Sequence, residues 1–257
     1  MSYSNQAALI TGASSGVGAA VAIKLAKLGV NVAVNYNSSQ TGAEAVVDHV
    51  VHEGVQGIAL QGDVSQEKDC RRMVSETIEK FGRLDILINN AGTTTFVPHH
   101  DLEGLTEEIW HQALGVNLMG AFFMTRAAAP YLRDAGSGAV VMTSSIASLT
   151  ANGSSIAYCA SKAGMNSLTK TLAKTLGKDG IRVNAVLPGL IDGDWAFNTW
   201  GGGNDQQYDE LKGHFLEQTP LGHVVTPDDV ADAILSFVTG SRYATGQLLT
   251  LDGGFTL

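Results

Sequence analysis

Tyr158 and Lys162, in the run Tyr158-Cys159-Ala160-Ser161-Lys162, are four residues apart, which puts a phenol and an ammonium on one face of a helix. Such a pair can act as an acid-base catalyst. A free phenol titrates near pH ~10 and exchanges protons poorly at neutral pH unless its anion is stabilised. Each pKa unit corresponds to about 1.4 kcal/mol, so bringing the phenol into the neutral range takes about 4 kcal/mol of preferential interaction with the phenolate. One lysine at close range in a partly dry site supplies much of that, and a bound cationic cofactor supplies more. The same spacing is also common on helices with no chemistry to perform, so the rest of the chain has to decide.

A second cluster favours the chemical reading. Directly after the strand-like run Ala7-Ala8-Leu9-Ile10 comes Thr11-Gly12-Ala13-Ser14-Ser15-Gly16-Val17-Gly18, which leads into a helical pattern. Glycines here permit a tight turn, close approach of backbone N–H groups to a pyrophosphate and close helix-strand packing, while the helix N-terminus favours an anion. Asp63-Val64 follows the third strand-like run and could hold an adenine amino group; the carboxylate could equally serve a helix start. Asn90-Ala91-Gly92, preceded by Asn89, follows the fourth run and puts small residues at the edge where open α/β sheets bind ligands.

The elements that must position these groups alternate along the whole chain. Strand-like runs at 7–10, 32–34, 58–60, 86–88, 140–142, 183–186 and 248–251 are separated by helical patterns at 17–28, 41–52, 66–81, 107–132, 154–176 and 227–238. Gly29, Gly54, Gly82 and Gly177 stand where helices should stop. This is the signature of an α/β fold, a doubly wound parallel sheet of about seven strands with helices on both faces. No linker or repeat divides residues 1–257, so one domain is expected. The stretch from Leu190 to Val225 breaks the alternation; its glycines (Gly201, Gly202, Gly203) and aromatics (Trp195, Phe197, Trp200, Tyr208, Phe215) suggest a mobile lid over a site.

Composition narrows the function. A 257-residue chain with 44% hydrophobic and 16% charged residues can bury a core without disulfides. Its net charge of -9, with no basic block, argues against nucleic acid and anionic membranes as partners. No apolar run approaches the ~20 residues of a membrane span, and Met1 to Gln6 is polar, so a cytoplasmic protein is expected. Cys70 and Cys159 are expected to be reduced, and no metal site is expected, the adjacent His99 and His100 being poorly placed to share an ion.

Taken in order, Thr-Gly-x-x-x-Gly-x-Gly, Asn-Asn-Ala-Gly, a serine ahead of Tyr-x-x-x-Lys, and Pro188-Gly189 after the sixth strand resemble the short-chain dehydrogenase/reductase family, from Thr11 to Asp252-Gly253-Gly254. The resemblance implies a Rossmann-type domain and an NAD(P)-dependent oxidoreductase that moves a hydride between the nicotinamide and a ketone, aldehyde or secondary alcohol. It makes Tyr158 the acid-base, Lys162 the residue that lowers its pKa and holds the nicotinamide ribose, and Ser145, in preference to Ser144, the hydroxyl on the substrate oxygen. Two donors aimed at a carbonyl that gains negative charge would stabilise the transition state. Asn117 resembles the residue that positions a relay water near the lysine. Pro188, Gly189 and Ile191 resemble the segment that recognises the carboxamide, although Gly193 stands where a threonine is usual.

At the end of the second strand, Tyr36, Asn37 and Ser38, with Ser14 in the glycine loop, offer no carboxylate for a ribose hydroxyl, which favours NADP over NAD. Phe96, Trp195 and Trp200 are expected to line the substrate pocket. Among subtypes the chain resembles reductases of 3-oxoacyl groups on acyl carrier protein and also sugar and alcohol dehydrogenases. Net negative charge would not steer an acidic carrier, which favours a free small substrate. A non-catalytic nucleotide-sensing protein is the remote alternative. The small residues on both faces of the 154–176 pattern, with the family resemblance, point to a homotetramer.

Overall fold

The computed structural model describes residues 3–257. Seven strands, β1 (Ala7–Ile10), β2 (Asn31–Tyr36), β3 (Gly57–Gln61), β4 (Ile86–Asn89), β5 (Ala139–Thr143), β6 (Arg182–Pro188) and β7 (Leu248–Leu251), form one sheet. Every pairing is parallel, in the order β3-β2-β1-β4-β5-β6-β7. The order reverses between β1 and β4, which opens a crevice at their carboxyl ends.

Because successive strand residues point to opposite faces, each strand feeds two cores. Ala8, Ile10, Val32, Val34, Ile86 and Ile88 pack under α1 (Gly16–Lys27), α2 (Gln40–His52) and α10 (Pro227–Thr239). Leu9, Ala33, Leu60, Leu87, Val140 and Met142 pack under α3 (Glu67–Phe81), α5 (Ala121–Asp134) and α7 (Ile156–Leu176). These strands read as continuous apolar runs because both faces are covered.

Three details depart from the sequence expectation. The 107–132 pattern is not one α-helix: α4 (Glu107–Leu114) passes into a π-helical turn, Gly115–Gly120, before α5. Gly120 presses on Val64, where a Cβ would come within 2.8 Å of a valine methyl, and the widened turn carries Asn117 toward the sheet edge. Gly29, Gly54 and Gly82 do take the left-handed conformation expected of helix stops, but Gly177 does not. The chain runs on through a short 3-10 turn and reverses at Gly180, φ 75°. Finally, the 190–225 stretch is folded. It holds α8 (Asp194–Trp200) and α9 (Asp205–Gln218), packed on their own small core of Leu190, Ala196 and Tyr208. The remaining helix, α6 (Ala147–Thr150), is a single turn after β5.

Candidate active site

A cavity of about 360 Å³ opens at the crevice, between the glycine loop after β1, the carboxyl ends of β4, β5 and β6, and α8. The glycine loop is built by steric necessity. A Cβ on Gly12 (φ 61°) would meet Ala91 Cα at 2.8 Å, and one on Gly18 would meet Gly12 O at 2.5 Å. Side chains tie the loop down: Gly12 N donates to Asn35 Oδ1 at 3.0 Å, and Asn90 Nδ2 donates to the carbonyls of Thr11 and Gly12 at 3.1 and 3.0 Å. Ser15 is the N-cap of α1, yet its side chain makes no capping bond. The first N–H groups of that helix therefore remain directed at the cavity, a cradle suited to a pyrophosphate.

At the other end, Ser155 caps α7, its hydroxyl accepting from Tyr158 N at 3.2 Å. The first two turns of α7 carry Tyr158 and Lys162 into the cavity, 7% and 3% exposed. Lys162 Nζ donates to Thr143 O at 2.7 Å and lies 5.7 Å from the Tyr158 ring centre. Ser145 lines the cavity, its Oγ accepts from Ala147 N at 3.1 Å, and its hydroxyl is close enough to the phenol to draw the pKa of Tyr158 down. Ser144 lines the same wall, but its hydroxyl is committed elsewhere, donating to Asn166 Oδ1 at 2.8 Å.

In the ligand-free protein burial governs both groups. Burial pushes Tyr158 up to about 12, against a smaller opposing pull from Ser145, and burial pushes Lys162 down to about 8. Desolvation dominates because both side chains are buried, with the ammonium held by Thr143 O. At neutral pH the protein alone presents a protonated phenol, which is a donor for a carbonyl oxygen.

Asn117 is buried in a network, Oδ1 accepting from Thr93 N at 2.8 Å and Nδ2 donating to Thr93 O at 3.0 Å and Ser161 Oγ at 2.9 Å. The carboxamide clamps the loop after β4 to α7, close behind Lys162.

Of the other sequence candidates, Gly12, Ser15, Gly16, Val17, Asn90, Ala91, Gly92, Pro188, Gly189 and Ile191 line the cavity. Gly18 lies beneath the loop as packing. Ser14, Tyr36, Asn37, Ser38, Asp63 and Val64 lie outside the cavity lining, at the carboxyl ends of β2 and β3 and in the glycine loop. Asp63 Oδ1 accepts from Ser65 N at 2.9 Å, closing a turn ahead of α3, whose N-cap is Gln66. Trp195 and Trp200 line the cavity, Trp195 with its ring centre 6.2 Å from that of Tyr158. Phe96, expected in the pocket wall, is outside the cavity lining and largely exposed, though it meets Trp200 edge-on at 5.8 Å. Phe197 turns away and packs edge-on against Tyr208 at 5.6 Å, so it serves the small core under the lid.

The sequence reading missed Asn152, Gly153, Asp194 and Phe215, which also line the cavity. Phe215 stacks on Phe255 at 4.7 Å, an arrangement no local pattern announces. Among the described residues no three His, Cys, Asp or Glu side chains gather to hold a metal; His99 Nε2 donates to Gly153 O at 3.1 Å instead.

Comparison with known proteins agrees with this geometry. Residues 12–256 match the family model described as enoyl-(acyl carrier protein) reductase. The chain is 42% identical over 247 residues, 96% of this chain and 94% of the relative, to the second ketoacyl reductase assigned to the granaticin polyketide synthase of Streptomyces violaceoruber. It is 37% identical over 251 residues, 97% of this chain and 98% of the relative, to a 3-oxoacyl-[acyl-carrier-protein] reductase of Staphylococcus epidermidis. Among solved structures, one from Burkholderia xenovorans superposes with a TM-score of 0.88 at 34% identity, covering 97% of each chain. An NADH-dependent reductase of alginate metabolism superposes with a TM-score of 0.86 at 29% identity, covering 99% of this chain and 98% of the other.

Proposed function

The chain belongs to the short-chain dehydrogenase/reductase family and is an NAD(P)-dependent oxidoreductase of C=O and CH–OH groups, and from that premise we propose that it reduces the ketone of a free, apolar substrate with NADP as cofactor. The observation that carries the proposal is the convergence of Ser145, Tyr158 and Lys162 on one cavity beside an uncapped helix N-terminus. The cradle of Gly12, Ser15 and Gly16 fits the pyrophosphate of a dinucleotide, and a bound nicotinamide cofactor would supply the hydride and, once oxidised, a positive charge. Ser145 and Tyr158 hydrogen-bond the carbonyl oxygen, and as negative charge grows there Tyr158 transfers its proton to it. Lys162, with its ammonium fixed by Thr143 O, would hold the cofactor's ribose and would stabilise the phenolate that remains. Asn117 is the positioning residue behind this set, holding Thr93 and Ser161. A buried, protonated phenol is ready to act as the acid when a carbonyl is reduced.

For the cofactor, support comes from the absence of a carboxylate at Asn37 and Ser38 and from the hydroxyls of Ser14, Ser38 and Ser39 around the start of α2. The opposing consideration is that one structural relative is NADH-dependent. We further propose one domain with the 190–225 lid, a cytoplasmic location and a homotetramer. Support for the tetramer is an exposed stripe of small residues along α7, including Ala160, Ala163 and Ser167.

A second reading is reduction of 3-oxoacyl groups on acyl carrier protein, favoured by the names of the two sequence relatives. Against it, Arg133 is not available to an acidic carrier: it pairs with Asp179 at 2.6 Å, and the net charge is -9. Cofactor-coupled absorbance with NADPH and NADH tests both readings. The panel comprises ketones, aldehydes, sugars, secondary alcohols, and one 3-oxoacyl thioester offered free and carrier-bound. Preference for NADPH with free ketones supports the first reading. A kcat/KM at least tenfold higher for the carrier-bound thioester than for the free one replaces it with the second.

A further inference from the structure

The cavity wall formed by Gly193, Asp194 and Trp195 is held from behind by a side-chain triangle that includes none of the proposed catalytic groups. Tyr208, on α9 and buried, donates its hydroxyl to Asp192 Oδ1 at 3.0 Å and accepts the Gly193 N–H at 3.3 Å. Lys212, one turn further along α9, pairs with Asp192 Oδ2 at 2.5 Å, and chiefly through that bond holds the Asp192 carboxyl below the usual carboxylate range. The Tyr208 ring packs edge-on against Phe197, and its Cβ lies 2.8 Å from where a side-chain carbon at Gly201 would stand. One phenol thus bonds the residue before α8, packs within α8 and abuts the residue after it. Asp192 is itself anchored, its N–H donating to Val225 O at 2.8 Å.

α8 is only seven residues long and would not hold a fixed orientation by itself. Its two tryptophans nevertheless stand in defined places, Trp195 against Tyr158 and Trp200 against Phe96. The Asp192–Lys212 pair is about one-third exposed on both sides and contributes little by itself. The buried hydroxyl, donating to a carboxylate while receiving a backbone N–H, is the directional part of the network. We propose that Tyr208 is a positioning residue for substrate recognition: through Asp192 and Gly193 it sets the angle of α8, and so the distance of the Trp195 and Trp200 walls from the reacting phenol. This rests on the reading of the cavity as the substrate site.

The test is Tyr208→Phe, which keeps the ring packing and removes only the hydroxyl, with Lys212→Met beside it. Losing a hydrogen bond to a charged group is expected to raise substrate KM by roughly tenfold or more, with cofactor KM within about twofold. kcat should be unchanged or higher, because a looser wall does not touch the proton-transfer set. Lys212→Met should give the smaller effect. A second readout needs no turnover: in a Trp110→Phe background, emission comes from Trp195 and Trp200 alone, and Tyr208→Phe should make it more accessible to acrylamide quenching. Unchanged quenching overturns the positioning role itself. Increased quenching with unchanged substrate KM overturns the substrate role and locates the fault in the reading of the cavity. A parallel fall in kcat and in affinity for both ligands, tracking a lowered melting temperature, overturns it in favour of a general structural role.

Discussion

Lys162 is an ammonium placed where water is scarce, and the protein is destabilised by it. Burial draws its pKa from the ordinary 10.5 down to about 8, a difference worth about 3 kcal/mol against the charged form. The sign follows from proton counts. Below about pH 8 folded and unfolded chains both carry the proton and the penalty is fully present. Between about pH 8 and 10.5 the unfolded chain binds more protons than the folded one, so stability rises with pH. Tyr158, with its pKa raised to about 12, works in the opposite direction, but only above pH 10. Wild type is therefore expected to gain about 2 kcal/mol relative to Lys162→Met between pH 7 and ~9.5, read from denaturant unfolding of the ligand-free protein. Parallel stability curves would contradict the buried-ammonium account. At this scale the sequence was legible for Tyr158, Lys162 and Ser145, whose spacing is local. Asn117 stood out only through the family resemblance, and its clamp was not legible, because its partners Thr93 and Ser161 lie 24 and 44 residues away.

Between strand and helix, the glycine loop was legible because sterics leave few other ways to bring β1, α1 and the loop after β4 so close. Gly18 tests this directly. Its missing side chain leaves room for Gly12 O, Ala13 Cα and Asn90 Nδ2, all within 2.8 Å of where a Cβ would stand. Gly18→Ala is expected to lower stability by about 2 kcal/mol as the helix is forced outward, and to weaken cofactor binding at least tenfold, measured by calorimetry and denaturant unfolding. Wild-type affinity in that variant would show that the loop does not depend on this contact. The lid was only half legible. Its aromatics were recognised as wall residues, but α9 was not recognised as a helix, although Tyr208, Leu211 and Phe215 recur at helical spacing on the side that packs into the lid core. Glycines at 201–203 interrupt the pattern just before it and obscured the signal. The π-helical turn was illegible in the local pattern; the contact at its end, Val64 against Gly120, is tertiary.

The parallel sheet and its two covered faces follow from the alternation of apolar runs and amphipathic segments, whereas the strand order β3-β2-β1-β4-β5-β6-β7 is a tertiary fact that the alternation does not fix. Assembly is less directly written, since the α7 stripe of small residues shows only that a partner helix could approach. Light scattering is expected to give a mass near four times the 26.9 kDa of one chain, and a mass near 26.9 kDa would refute the tetramer. The central claim is that one cavity brings a cofactor cradle to a phenol whose sole task is the proton. Tyr158→Phe tests it most directly, with kcat/KM for the best ketone and cofactor Kd by fluorescence titration measured on the same preparation. The account predicts a loss of at least a thousandfold in kcat/KM, of the order seen when a positioned proton donor is removed from a site that still binds, with Kd within about threefold of wild type. Retention of more than a tenth of wild-type kcat/KM would contradict it.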